Sequence, residues 1–189
     1  MNIWLVRHTT PEVETGVCYG QSNIGVTDTF VQEATMVRNK LPDLSGVTIY
    51  TSPLTRCQLL AEYLAQHNTP LIDPCLMEMD FGDWEGQRWI DVDQEQLKRW
   101  GDNHAFEAPP NGESMEQLYT RCAKFYDKVI SGSLDRDVIL VTHGGVIRSI
   151  LCHALDFSMD KAFSFHLDFA SVSTIGVDAH TTKLICLNR

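Results

Sequence analysis

The sequence predicts an α/β domain built on a largely parallel sheet covered on both faces. Short runs rich in β-branched residues alternate along the chain with longer segments whose apolar residues recur at helical spacing. That alternation builds parallel sheets with crossover helices. One run, VILVT over 138–142, is apolar without interruption, as in a strand buried on both sides. A chain of 189 residues, 43% hydrophobic and 21% charged, suits one domain, spanning 1–189, that buries its core unaided.

The elements follow in order. IWLV at 3–6 is the first strand, and its Ile, Val and Trp favour a pleated surface. A helix is expected from about Asp28 to Leu41, where Phe30, Ala34, Val37 and Leu41 keep helical spacing. VTIYT at 47–51 is a strand, and the helix after it begins near Pro53, a residue suited to a first turn, with Leu59, Leu60, Tyr63 and Leu64 as its apolar set. From Asp73 to Pro110 no simple period holds, and Asp, Gly, Pro and Trp dominate. The stretch 73–110 therefore reads as an excursion, the kind of segment on which function concentrates, with a short helix at Gln94 to Trp100. Met115 to Ile130 is a long helix with Leu118, Cys122, Phe125 and Val129 on one stripe and Ser114 as its N-cap. After VILVT comes a helix over Val146 to Leu155, then the strands SVSTIGV (171–177) and KLICL (183–187).

Composition excludes several classes. The formal net charge is −10 and there is no basic run, so no nucleic-acid partner is expected. No apolar run approaches the roughly 20 residues of a membrane span, and no basic leader with a small-residue cleavage site opens the chain; a cytoplasmic protein with no membrane partner is expected. The six cysteines are scattered, with no CxxC spacing. They read as reduced, buried or half-buried thiols rather than a zinc site or a disulfide framework.

Three strand ends carry charge. The first runs into Arg7-His8. The second leads into TSPLTR, which puts Arg56 about one helical turn on. The third ends in His143-Gly144-Gly145. In doubly wound sheets ligands bind at the carboxyl ends of strands. Two guanidinium forks match phosphate oxygens, and the glycines after His143 let backbone N–H groups approach an anion. A neutral imidazole is a competent nucleophile. The pattern points to in-line attack of a histidine on a phosphoryl group, hydrolysis of the phosphohistidine by water, and charge neutralisation by Arg and the second His. No metal or other cofactor is called for. A carboxylic acid must give the leaving oxygen a proton and later take one from water; Glu78, Asp80, Asp83 and Glu85 of LMEMDFGDWEG all qualify. Trp84 and Phe81 are packing residues or stacking surfaces for a base or sugar.

The segments LVRH, TSPLTRCQLLAEYL, LMEMDFGDWEG, NGES and VTHGGVIR stand in the order found in the histidine phosphatase superfamily, the phosphoglycerate mutase-like enzymes, which the chain resembles over nearly its whole length. The resemblance implies a three-layer α/β/α sandwich with a mostly parallel central sheet and the 73–110 excursion over the active site. It implies His8 as nucleophile, Arg7, Arg56 and Gly144 as phosphate-binding, His143 as the completing catalytic group, and Glu78 as proton donor. Two departures stand out. Thr9 replaces the family's Gly after the nucleophile, and the Asn expected among Pro11 to Glu14 has no counterpart; the Thr9 hydroxyl or Gln21 is the expected replacement. RHTTPEVETGVCYG is similar to the alpha-ribazole phosphatase branch, with Tyr19 and Gln21 as substrate-side contacts. The implied partner is a small phosphomonoester. A phosphoglycerate mutase, a broad sugar-phosphate phosphatase and a non-catalytic phosphate-binding module are the alternatives; the module has no use for Glu78.

Overall fold

The computed structural model describes residues 1–66, 69–133 and 136–189. Six strands form one sheet: β1 (Asn2–Arg7), β2 (Thr48–Thr51), β3 (Leu71–Ile72), β4 (Val138–Thr142), β5 (Val172–Val177) and β6 (Thr182–Cys186), in the spatial order β3-β2-β4-β1-β5-β6. The pairings β3–β2, β2–β4 and β4–β1 are parallel, while β1–β5 and β5–β6 are antiparallel. The sheet is therefore mixed. Only residues 178–181 join β5 to β6, a hairpin length that forces opposite directions. The two-residue strand β3 has no sequence signal; its Leu71 and Ile72 are exposed at the sheet edge.

Side chains of β1 and β4 alternate between two cores. Ile3 and Leu5, with Val138 and Leu140, enter one; Val6, with Ile139 and Val141, enters the other. The period of two in a continuous apolar run is the mark of a sheet covered twice. Helices α1 (Phe30–Lys40) and α2 (Thr55–Ala65) cover the second face through Ala34, Val37, Cys57, Leu60 and Leu64. Leu59 and Tyr63 of α2 instead face outward, and Tyr63 packs edge-on against Phe30. The first face is covered by α4 (Met115–Ser133) and α5 (Gly144–Ala154). Leu118, Cys122, Phe125 and Val129 are all buried, as their spacing predicts. Ser114 caps α4: its Oγ accepts from Gln117 N at 3.3 Å, while Gln117 Oε1 accepts from Ser114 N at 2.7 Å, a reciprocal capping box.

The 73–110 stretch holds two 3-10 turns, Pro74–Leu76 and Gly82–Trp84, and the helix α3 (Gln94–Asp102). Backbone bonds zip it to the loop after β1: Cys18 N to Gln87 O at 2.8 Å, Gly86 N to Cys18 O at 2.8 Å and Trp89 N to Gly16 O at 2.8 Å. Cys18, Trp84 and Val92 form a small separate core beneath, so Trp84 is a packing residue. The six cysteines are unpaired thiols, four of them buried. Among the described residues no helix is long and apolar enough to cross a membrane.

Candidate active site

Sheet register builds the centre of the site. Arg7 pairs with Thr142 across the β1–β4 ladder, and His8 N donates to Thr142 O at 3.0 Å. On the other side of β4, Ser52 N donates to Val141 O at 3.1 Å. Parallel strands in this register set the residues just past their ends side by side. The His8 and His143 rings accordingly meet with centroids 5.1 Å apart, and Ser52 Oγ lies 2.8 Å from His143 Nε2.

Both imidazoles are almost wholly withdrawn from solvent, at 1% and 0% exposure. His8 Nδ1 sits 2.7 Å from the Thr9 carbonyl. A carbonyl only accepts, so Nδ1 carries the proton and Nε2 keeps its lone pair. Burial holds the His8 pKa well below the ordinary imidazole value, and the Arg56 and Arg7 charges push it the same way. Burial also holds His143 well below its usual value, assisted by His8 and Arg56. His8 is thus a neutral base at and below neutral pH, despite two guanidiniums at hand.

Those guanidiniums are tethered by backbone carbonyls. Arg56, fully buried on the first turn of α2, donates from Nη1 to Ser22 O at 2.8 Å and from Nη2 to Gly20 O at 2.7 Å. Its Cζ stands 5.2 Å from the Tyr19 ring centre. Arg7 donates from Nη1 to Leu167 O at 2.5 Å and lies 4.0 Å from the Phe169 ring centre. The Nε of each arginine is buried without a partner among the described residues, and so is Thr9 Oγ1. Unfilled buried donors are costly. Phe169 also approaches His8, with ring centroids 5.4 Å apart.

Glu78 reaches the same place from the 73–110 segment. Its carboxylate accepts from Gly145 N at 3.1 and 3.2 Å and from its own neighbour Met79 N at 2.9 Å. Any side chain at Gly145 would overlap that carboxylate, so the second glycine after His143 admits Glu78. The Glu78 carbonyl in turn accepts from Arg121 Nη2 and from Gln21 Nε2, each at 2.9 Å. The other acids of the segment are engaged elsewhere. Glu85 binds Gln21 N, Ser22 N, Ser22 Oγ and Phe81 N; Asp80 accepts from Gly82 N and Asp83 from Asn111 Nδ2. Beside Glu78 lies a cavity of about 170 Å³ lined with Cys18, Tyr19, Gly20, Phe81 and Trp89.

His8, Thr9, His143, Arg7, Arg56, Gly144, Tyr19 and Glu78 thus cluster at the ends of β1 and β4, and of them Tyr19 and Glu78 line the cavity. Gln21 stands behind Glu78, with its side-chain amide taken up by the Glu78 carbonyl. Three further residues carry the site: Ser52, Arg121 and Arg148. Arg148 had a legible signal, a lone cation in the apolar helix GGVIRSILC. Arg121 borders the apolar stripe of α4 and joins Glu113 in an ion pair at 2.6 Å. Ser52 gives no signal. Among the described residues no three His, Cys, Asp or Glu side chains gather as a metal-binding set.

The sequence profile described as Histidine phosphatase superfamily (branch 1) matches residues 3–189. A putative phosphoserine phosphatase 2 from Hydrogenobacter thermophilus (strain DSM 6534 / IAM 12695 / TK-6) is 28% identical, the match covering 99% of this chain and 95% of the relative. An adenosylcobalamin/alpha-ribazole phosphatase from Escherichia coli (strain K12) is 25% identical over 100% of this chain and 96% of the relative. The crystal structure of the alpha-ribazole phosphatase from Shigella flexneri superposes with a TM-score of 0.91 at 25% identity, covering 100% of this chain and 96% of that one.

Proposed function

As the chain belongs to the histidine phosphatase superfamily and is a phosphatase, we propose that it hydrolyses phosphomonoesters through a phosphohistidine on His8, with no metal ion. The meeting of His8 and His143 at 5.1 Å, with Arg7 and Arg56 against them, carries this reading. His8 Nε2 attacks phosphorus in line as the bond from phosphorus to the ester oxygen breaks. Glu78 gives its proton to that oxygen. Water then attacks phosphorus, its proton passes back to Glu78, and phosphate leaves a free His8. Arg7, Arg56 and the N–H of Gly144 bear the charge of the equatorial oxygens. The buried Thr9 hydroxyl stands in for the missing family Asn.

Alpha-ribazole 5′-phosphate is the proposed substrate. Support comes from the Escherichia coli and Shigella flexneri relatives and from the aromatic lining of the cavity beside the proton donor, where Tyr19, Phe81 and Trp89 offer faces to a flat, neutral leaving group. Phosphoserine is the second candidate, from the 28% relative. A hydrolysis screen in EDTA over alpha-ribazole 5′-phosphate, phosphoserine, 3-phosphoglycerate and sugar phosphates decides between them. The highest kcat/KM on the first supports the proposal; turnover lost on chelation, or preference for an acidic ester, rejects it.

A further inference from the structure

Arg148 brings a further guanidinium to this cluster, on the second turn of α5. Its Nε donates to Phe165 O at 3.1 Å, and its Cζ stands 5.4 Å from the Phe163 ring centre. Among the described residues neither Nη has a hydrogen-bond partner. The stem is therefore fixed while the forked end stays open. Gly144 shows where that end points. A methyl group at Gly144 would stand 3.0 Å from Arg148 Nη1 and 3.5 Å from Arg7 Nε. Two cations meet over the same bare backbone, and one presents a buried donor with no acceptor. Like charges with unfilled donors repel unless an anion lies between them.

The neighbouring residue says which part of the site this is. Gly145 holds Glu78: its N–H donates to the carboxylate at 3.1 and 3.2 Å, and a side chain there would overlap it. Arg148, over Gly144, therefore stands on the Glu78 side of the cluster, and the charges of Glu78 and Arg7 both act on it. We propose that Arg148 binds the transferred phosphoryl group together with Arg7, from the leaving-group side. The inference rests on His8 being the nucleophile. In that position a planar fork meets the charge that builds on the oxygens nearest the breaking bond.

The test uses R148A and R148K. The readouts are inhibition constants for inorganic phosphate and orthovanadate, and kcat/KM on p-nitrophenyl phosphate, alpha-ribazole 5′-phosphate and phosphoserine. Both anions should bind R148A about 10-fold more weakly or worse, and kcat/KM should fall roughly 100-fold, by a similar factor on every ester. R148K should recover part of both losses, and added guanidinium ion should restore part of the R148A turnover, which a purely structural defect would not permit. Unchanged phosphate and vanadate affinity overturns the proposal. So does a loss confined to phosphoserine, which would make Arg148 a carboxylate-binding residue. Should R148A fold poorly, R148K keeps the stem over Phe163 and carries the test. Phosphohistidine labelling of the wild-type protein runs alongside. If wild type shows none, the reading of His8 fails. If it labels and R148K binds vanadate equally well, only the role of Arg148 fails.

Discussion

His8 and His143 owe their meeting to strand register, whereas Glu78 owes its place to other side chains. On the histidine side, consecutive backbone bonds of a sheet buried on both faces fix where β1 and β4 end, and moving either ring means shifting a strand. On the Glu78 side, the carboxylate sits on an irregular segment tied down by Arg121, Gln21 and the open face of Gly145. The half proposed to attack phosphorus is built into the fold, and the half proposed to donate the proton is assembled on top of it. Single substitutions should therefore act differently on the two.

The largest effect is expected at His8, the proposed nucleophile. H8A should abolish phosphohistidine formation and lower turnover roughly 10⁵-fold or more, the scale on which loss of a nucleophile acts elsewhere; rapid-quench labelling and steady-state assays check it. Residual turnover near wild type would sink the mechanism. E78Q should slow turnover about 100-fold, the usual scale of a general acid, with inorganic phosphate inhibition nearly unchanged. Wild-type turnover in E78Q would transfer the role to Asp80 or Asp83. R121M removes a tether rather than a reacting group. It should lower kcat about 10-fold on esters with poor leaving groups and leave vanadate binding intact, while Glu113, left with Asp80 N as its donor and no cation, should cost about 2 kcal/mol in denaturant unfolding. Equal loss of vanadate affinity would place Arg121 on the phosphate side instead.

A stability measurement separates the halves by pH. His8 and His143 are held below the ordinary imidazole value in the folded state, so the unfolded chain binds more protons as pH falls below about 6.5. Their contribution is complete above that pH and is lost as the solution becomes more acidic. The limiting slope is about 1.4 kcal/mol per pH unit for each ring. Urea unfolding from pH 7 to pH 5 should show the decline, and H8N should reduce it. Identical slopes for H8N and wild type would contradict the burial argument.

The same contrast explains what could be read from the sequence. VILVT and IWLV announce strands, and a histidine just past each end needs no tertiary knowledge to be suspected, because neighbouring parallel strands finish together. Helix faces were legible where stripes are long, as in α4. The direction of β5 was not, since strand composition carries no sense of direction, and β3 is too short to differ from a loop. Residue types in LMEMDFGDWEG left four carboxylates in play. What separates them is who binds them: Glu85 is held by three backbone N–H groups and a hydroxyl, and those partners lie up to 64 residues away. Arg121 and Ser52 act through contacts of the same long range, which no local pattern records.

The carbonyl of Thr9 has a chemical consequence of its own. Because it occupies the proton on Nδ1, the ring nitrogen remote from the main chain is the one left to react, so any phosphoramidate formed on His8 would be the tele isomer (the 3-phospho form) and not the pros. The ring bearing it would remain protonated at Nδ1 and hence cationic, which weakens the nitrogen–phosphorus bond toward water. The carbonyl that fixes the tautomer at rest would then favour the charged adduct ring and make the adduct short-lived, a property suited to a hydrolase.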